Sequence, residues 1–207
     1  YLIAAICFVL GLKGLSHPRT ARRGNLTGSI GMFLAVVVTL FDQNVVSFNV
    51  ILGGVAIGTV IGALVAAKIA MTQMPQMVAL FNGTGGAASV LVATAALLDA
   101  VDKGQSMGLQ FTSATVASAL IGSVTFTGSL IAVFKLQGIV VPSGAVTSPL
   151  IKALNVILGV ASLCLLAYFV MNPEQLVSYW VIAGVGLVLG VTLTLPIGGA
   201  DMPVVIA

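Results

Sequence analysis

Asn82 is the residue best placed to do unusual chemistry. It stands in Val78-Ala79-Leu80-Phe81-Asn82-Gly83-Thr84-Gly85-Gly86, roughly two turns into an otherwise apolar helix. Intramembrane polar groups are costly unless paired or wetted, so such a carboxamide marks a candidate functional site. The glycines after it imitate a phosphate loop, but a phosphate loop follows a strand and opens a helix, and no strand is available. They loosen the helix or let it pack tightly. A second set is made of hydroxyls. Ser118, Gly122, Thr125 and Ser129 recur at steps of four and three, hence on one helix face, with Thr115 close to it. Two readings stay open for this face: polar glue inside a bundle, or a hydrogen-bonded seam along which protons or water move.

Other chemistry is poorly supplied. The sequence offers no Ser–His–Asp set, no paired carboxylates within a span and no metal-ligand cluster. The one histidine, His17, lies in the basic stretch Ser16-His17-Pro18-Arg19-Thr20-Ala21-Arg22-Arg23-Gly24 and reads as solvated surface. Cys7 and Cys164 sit in apolar runs and read as small hydrophobes. This segment performs no covalent reaction of its own.

The elements that must position these residues follow from composition. Of 207 residues 59% are hydrophobic and 6% charged, against about 25% charged in a soluble domain. A bilayer is the solvent such a chain requires. The net charge of +3 does not indicate nucleic acid, because no basic patch with interleaved aromatics accompanies it.

Breakers and charges divide the chain into spans at Tyr1–Leu15, Asn25–Phe41 (closed by Asp42-Gln43-Asn44), Asn49–Ala70, about Pro75–Leu98, Leu109–Phe134, Pro149–Met171 and Leu176–Leu195. Asp99 to Gly108 reads as a polar loop, and Pro203 as the opening of an eighth span. The full spans are roughly 17–26 residues long, enough to cross about 30 Å of hydrocarbon as helix. Strands would be shorter and would alternate in polarity. The expected fold is therefore an all-α, polytopic transmembrane bundle of about seven spans plus the start of an eighth, one incomplete domain over residues 1–207. The abrupt start at Tyr1, without Met or a basic leader, and the stop at Ala207 inside an apolar run lead us to expect a fragment.

Loop charges set an orientation. Arg19, Arg22, Arg23, Lys68, Lys135 and Lys152 fall on one side, with Lys103 alone on the side of Asp42, Asp99, Asp102 and Glu174. The positive-inside bias puts the first side in the cytoplasm, Tyr1 outside and Asp201 in a cytoplasmic loop. Small residues at four-residue spacing (Gly54, Gly58, Gly62, Ala66, and more weakly Gly186, Gly190) read as packing stripes. Two loops on one side share an outline, Met74-Pro75 with Val78-Ala79 and Met202-Pro203 with Ile206-Ala207, which suggests two corresponding half-sites.

At these same residues the chain resembles the beta subunit of the proton-translocating NAD(P) transhydrogenases. The resemblance is carried by Gly14-Leu15-Ser16-His17-Pro18 with Thr20-Ala21, by Met71-Thr72-Gln73-Met74-Pro75-Gln76-Met77-Val78-Ala79, by Val124-Thr125-Phe126-Thr127-Gly128-Ser129, and by Ile197-Gly198-Gly199-Ala200-Asp201-Met202-Pro203-Val204-Val205. It extends over essentially the whole chain. It implies a membrane domain that couples proton movement to hydride transfer between NAD(H) and NADP(H), both held in soluble domains outside this segment, which itself would bind no nucleotide. It also implies an alpha-type partner subunit, an NADP-binding domain beyond Ala207 on the same chain, a dimeric assembly and a bacterial inner membrane.

Two positions acquire roles from the resemblance. Asn82 matches a helix position that in some members is a histidine of the proton path; Asn cannot titrate near neutral pH, so here it would hold water. Ser118, Thr125 and Ser129 would continue that path. Asp201 corresponds to an acidic residue near the docking surface for the NADP domain, and Gln73 and Gln76 face the same side, where relatives often carry acids. The implied mechanism is a helix equilibrium, shifted by protonation and reported by these loops. The alternative is a stand-alone secondary transporter with a small solute at the level of Asn82. A purely structural subunit is a weaker third reading, disfavoured by the hydroxyl face.

Overall fold

A bilayer offers backbone groups no water, so each N–H and C=O must find a partner within the chain. The computed structural model describes residues 1–41, 48–138, 143–199 and 201–202, and meets this requirement with helices alone among them. They are α1 (Leu2–Leu15), α2 (Ala21–Leu40), α3 (Phe48–Lys68), a single 3₁₀ turn (Met71–Gln73), α4 (Met74–Asp102), α5 (Leu109–Gln137), α6 (Pro149–Met171) and α7 (Leu176–Thr194). Six are long and apolar enough to cross a membrane; α1, at 14 residues, is shorter. Asp42-Gln43-Asn44, the Pro203 start of an eighth span and most of the second Met-Pro segment lie outside the described residues.

The boundaries differ from expectation in instructive places. α2 begins at Ala21, so Arg22 and Arg23 are its first turn and not a loop. α4 continues through the expected polar loop to Asp102, carrying Asp99 into the helix, where it pairs with Lys103 at 2.8 Å. That exposed i,i+4 pair adds little stability. The turn is completed by Gly104 at φ +58. α5 likewise passes the expected stop at Lys135 and ends at Gln137, with Gly138 (φ +68) returning its N–H to the carbonyls of Phe134 and Lys135. Lys135 is thus a buried residue of the last turn of α5, not a loop charge.

The chain forms two compact units, Tyr1–Lys68 and Ile69–Ala207. In the first, α1 and α2 run antiparallel with their backbones nearly touching. A Cβ on Gly24 would lie 2.7 Å from the Gly11 carbonyl oxygen, and one on Gly31 would lie 2.9 Å from the Cβ of Cys7. Cys7 is accordingly a packing residue. None of the side chains of α3 is buried, and Cβ atoms added at Gly54, Gly58 and Gly62 would meet nothing within 4 Å. The predicted stripe exists on α3 but has no partner among the described residues.

In the second unit α5 is the central helix, antiparallel to α4 and parallel to α7. Gly83 and Gly86 of α4 lie against Ser129, Thr125 and Gly122 of α5, while Gly186 and Gly190 of α7 lie against Ser123 and Thr127. Of the glycines after Asn82, Gly83 and Gly86 therefore pack the helix tightly, while Gly85 faces open space. One end of this unit is closed by Leu97, Val116, Ala119, Phe169, Tyr179 and Ile182. The other is closed by Ala79, Ala132, Val133 and Met202.

These approaches define a stability test. A side chain at Gly86 would meet backbone at 2.7 Å (Gly122 O) and 2.9 Å (Phe126 N), whereas one at Gly85 would meet nothing within 4 Å. Gly86→Val should cost about 1–3 kcal/mol or more by forcing two backbones apart. Gly85→Val should cost well under that. Denaturant titration of the purified protein in mild detergent reads the difference, and equal midpoints would contradict the packing described.

Candidate functional site

The tight approach at Gly83 places the first candidate group. A Cβ on Gly83 would lie 3.0 Å from the Cβ of Ser129, so the bare α-carbon lets α5 come close enough for the Asn82 Nδ2 to donate to Ser129 Oγ at 3.0 Å. Ser129 is buried at 5% exposure, while Asn82 keeps an uncovered edge in the isolated chain. Both line a cavity of about 240 Å³ whose walls include Thr125, Gly128, Ala132, Leu193, Thr194 and Ile197. Asn82, Thr125 and Ser129 are thereby brought together by α4, α5 and α7.

Ser118 is not part of this group. It borders a separate groove of about 400 Å³ with Gly85, Ser89 and Thr115. Between the two lies the contact of Gly86 with Gly122, where the Cβ that either glycine lacks would fall 2.7 Å from the other's carbonyl oxygen. The hydroxyl face of α5 is continuous along the helix but divided at this level by backbone.

The chemistry available is proton-holding, without titration. A carboxamide and a hydroxyl each donate and accept, but neither changes charge near neutral pH. With Ser129 Oγ accepting from Asn82, its own proton is free to donate onward. A cavity of this size with several polar lining atoms is roomy enough for more than one water. Among the described residues no group of three or more His, Cys, Asp or Glu is gathered as for a metal ion.

The candidate coupling residues sit at one end of the same unit. Asp201 is exposed, and so is Gln73 in the 3₁₀ turn. Gln76 is half-buried and turned inward, donating from Nε2 to the Leu136 carbonyl at 3.3 Å. It straps the start of α4 to the end of α5. Beside Asp201, Met202 is fully buried against Ala79, Ala132 and Val133. The exposed carboxylate is therefore attached to an anchored side chain.

Three further polar positions were not singled out in the sequence. Lys135 is 1% exposed, and its Nζ donates to the carbonyls of Leu195 and Ile197 (2.7 Å to the latter), with Gly144 and Thr194 carbonyls at 3.4 and 3.5 Å. Asn155 of α6 donates to the Thr192 carbonyl at 3.2 Å. That carbonyl is orphaned because Pro196, four residues on, has no N–H to give it. Asn155 Oδ1 itself is buried and has no partner among the described residues. Tyr179, fully buried, shares a hydrogen bond with Thr94 at 2.8 Å and pins α7 to α4. Asn155 was detectable by the criterion that found Asn82, a carboxamide inside an apolar span. Lys135 and Tyr179 look ordinary until their neighbours are known.

With this geometry in place, the chain can be compared with known proteins. The family model for NAD(P) transhydrogenase beta subunits matches residues 1–207. Two sequences named NAD(P) transhydrogenase subunit beta from Rhodospirillum rubrum, one of them from a defined strain, are each 41% identical over 211 residues. The alignments cover 100% of this chain and 45% of theirs, so the chain spans less than half the length of these relatives. Its long apolar helices make it an integral membrane segment, and the match over its whole length places it in the family of NAD(P) transhydrogenase beta subunits.

Proposed function

We propose that this segment is the proton-translocating part of an NAD(P) transhydrogenase, an oxidoreductase and translocase, coupling proton movement to hydride transfer between NAD(H) and NADP(H) held elsewhere in the complex. The observation that carries this reading is the continuity of cavity and loop. Thr194 and Ile197 line the cavity that contains Asn82 and Ser129, and the same strand of chain reaches Asp201 four residues later. A change of hydration or protonation in the cavity acts on the wall that carries the exposed carboxylate.

In this reading Asn82, Thr125 and Ser129 form one half of the path and Ser118 belongs to the other. Because none of these groups changes charge, they hold and orient water, and the titrating group comes from another element of the complex. Asp201 and Gln73 face the NADP-binding domain of the full-length chain, with Gln76 setting their spacing from α5. Coupling requires two states of this end with different affinity for that domain. The exposed Arg19, Arg22, Arg23, Lys68 and Lys152 at helix ends and loops support an orientation with Tyr1 outside and the Asp201 loop cytoplasmic, in what we propose is a bacterial inner membrane. An alpha-type subunit and a dimeric assembly complete the proposed complex. The stand-alone transporter reading loses ground, because the family match covers every span.

Two expected outcomes follow for the full-length complex in sealed vesicles. Asp201→Asn should lower protons moved per hydride transferred while leaving membrane insertion intact; unchanged pumping would remove Asp201 from the coupling role. Asn82→Leu and Ser129→Ala should each slow proton-coupled turnover about five- to tenfold, the scale of one hydrogen bond lost at a barrier. Ser118→Ala should cost less, because Ser89 and Thr115 border the same groove. Wild-type turnover in both Asn82→Leu and Ser129→Ala would rule out the cavity as part of the path.

A further inference from the structure

The buried ammonium of Lys135 stands out because the proposed proton path does not use it. Its partners are carbonyl oxygens from two places in the chain, Gly144 before α6 and Thr194, Leu195 and Ile197 at and just beyond the end of α7. No carboxylate is among the partners found in the described residues. An ammonium has three donors and no acceptor, so a nest of carbonyls satisfies it without a counter-ion. Burying a charge this way is costly unless the geometry is kept, which makes the site intolerant of rearrangement.

The surrounding bonds show what the nest holds. Val146 N–H donates to the Leu195 carbonyl at 3.1 Å, and Gly199 N–H donates to the Ser143 carbonyl at 2.8 Å. Asp201 N–H closes back on the Gly198 carbonyl at 3.0 Å, and Met202 fills the apolar pocket beneath. The loop that presents Asp201 is therefore fixed at its near end by Lys135 and at its far end by Met202. Asp201 itself is exposed, and the described hydrogen bonds give its carboxylate no partner to hold it. Its position comes from its backbone.

We infer that Lys135 is a positioning residue for coupling: its ammonium latches the Leu195–Ile197 turn to the end of α5 and so sets where Asp201 is presented. The inference rests on the coupling role proposed for Asp201, and it acts on that loop without lining the water path. Ala132, one turn before Lys135, lines the Asn82 cavity, so α5 links the cavity wall to the latch through a single rigid turn. Gln76, which ties the start of α4 to Leu136, braces the same turn from the other side.

The experiment compares Lys135→Met, Lys135→Gln and Lys135→Arg in the full-length complex, reading amide hydrogen exchange and protons moved per hydride in the same preparations. In Lys135→Met, amides of Ile197, Gly199 and Asp201 should exchange about tenfold faster or more, while those of mid-α4 and mid-α5 keep wild-type rates. The proton-to-hydride ratio should fall, hydride transfer without a proton gradient should persist, and Lys135→Arg should recover part of both losses. Should Lys135→Met fail to accumulate in the membrane, Lys135→Gln, which keeps two donors, carries the same comparison. Unchanged exchange in the loop would overturn the latch. Faster exchange with an unchanged ratio would overturn its role in coupling. A defect in Asp201→Asn without one in Lys135→Met would leave the coupling role of Asp201 standing and remove Lys135 from it.

Discussion

The second unit depends on how closely two backbones can approach α5 at once. Gly83 and Gly86 admit it on the α4 side, Gly186 and Gly190 on the α7 side, and the added-Cβ distances fall below ordinary van der Waals contact at each. In lipid there is no hydrophobic gain from bringing helices together, so close packing and interhelical hydrogen bonds supply the association. Several of the polar contacts between helices go with that spacing. Asn82 reaches Ser129 beside Gly83, and Thr127 donates to the Leu187 carbonyl at 2.8 Å beside Gly190.

The same closeness explains what could and could not be read from the sequence. Spans were legible because apolar length and charged interruptions are local properties, and the seven helices fall close to where they were expected. Helix ends were less so. Asp99 and Lys135 looked like loop residues because charge usually marks a boundary, yet one makes an i,i+4 pair and the other is satisfied by carbonyls from distant places in the chain. Ser118, Thr125 and Ser129 all lie on the side of α5 that meets α4. Ser118 and Ser129 are nonetheless about 16 Å apart along the axis, so sharing a face does not mean sharing a cavity. Their separation at Gly86 and Gly122 depends on a neighbouring helix, which spacing on α5 alone does not encode.

The accounting at the end of α7 links fold to function. Pro196 removes the donor that Thr192 would have used, and α6 replaces it with Asn155. Beyond that point the chain leaves the helix and its carbonyls turn to Val146 and Lys135. One end of one helix is thus completed by residues from α5, from α6 and from the loop between them. A segment satisfied in this way is tied to the bundle and is not a free loop.

The parallel course of α5 and α7 has an electrostatic consequence. Each helix carries a partial negative charge of about half a unit at its C-terminus. The N-termini of α4 and α6 come to the same end, tied there by Gln76 to Leu136 and by Asn155 to Thr192, so the two negative ends of the parallel pair meet two positive ones. The positive charge of Lys135 sits between the two C-termini, its partners drawn from the end of α7 and its own backbone in the last turn of α5. Two C-termini and two N-termini of about half a unit each offset one another, which leaves the ammonium of Lys135 as a full positive charge behind the Asp201 loop. The exposed carboxylate of Asp201 is therefore presented in front of a buried positive charge, and one end of the bundle carries the two signs at different depths.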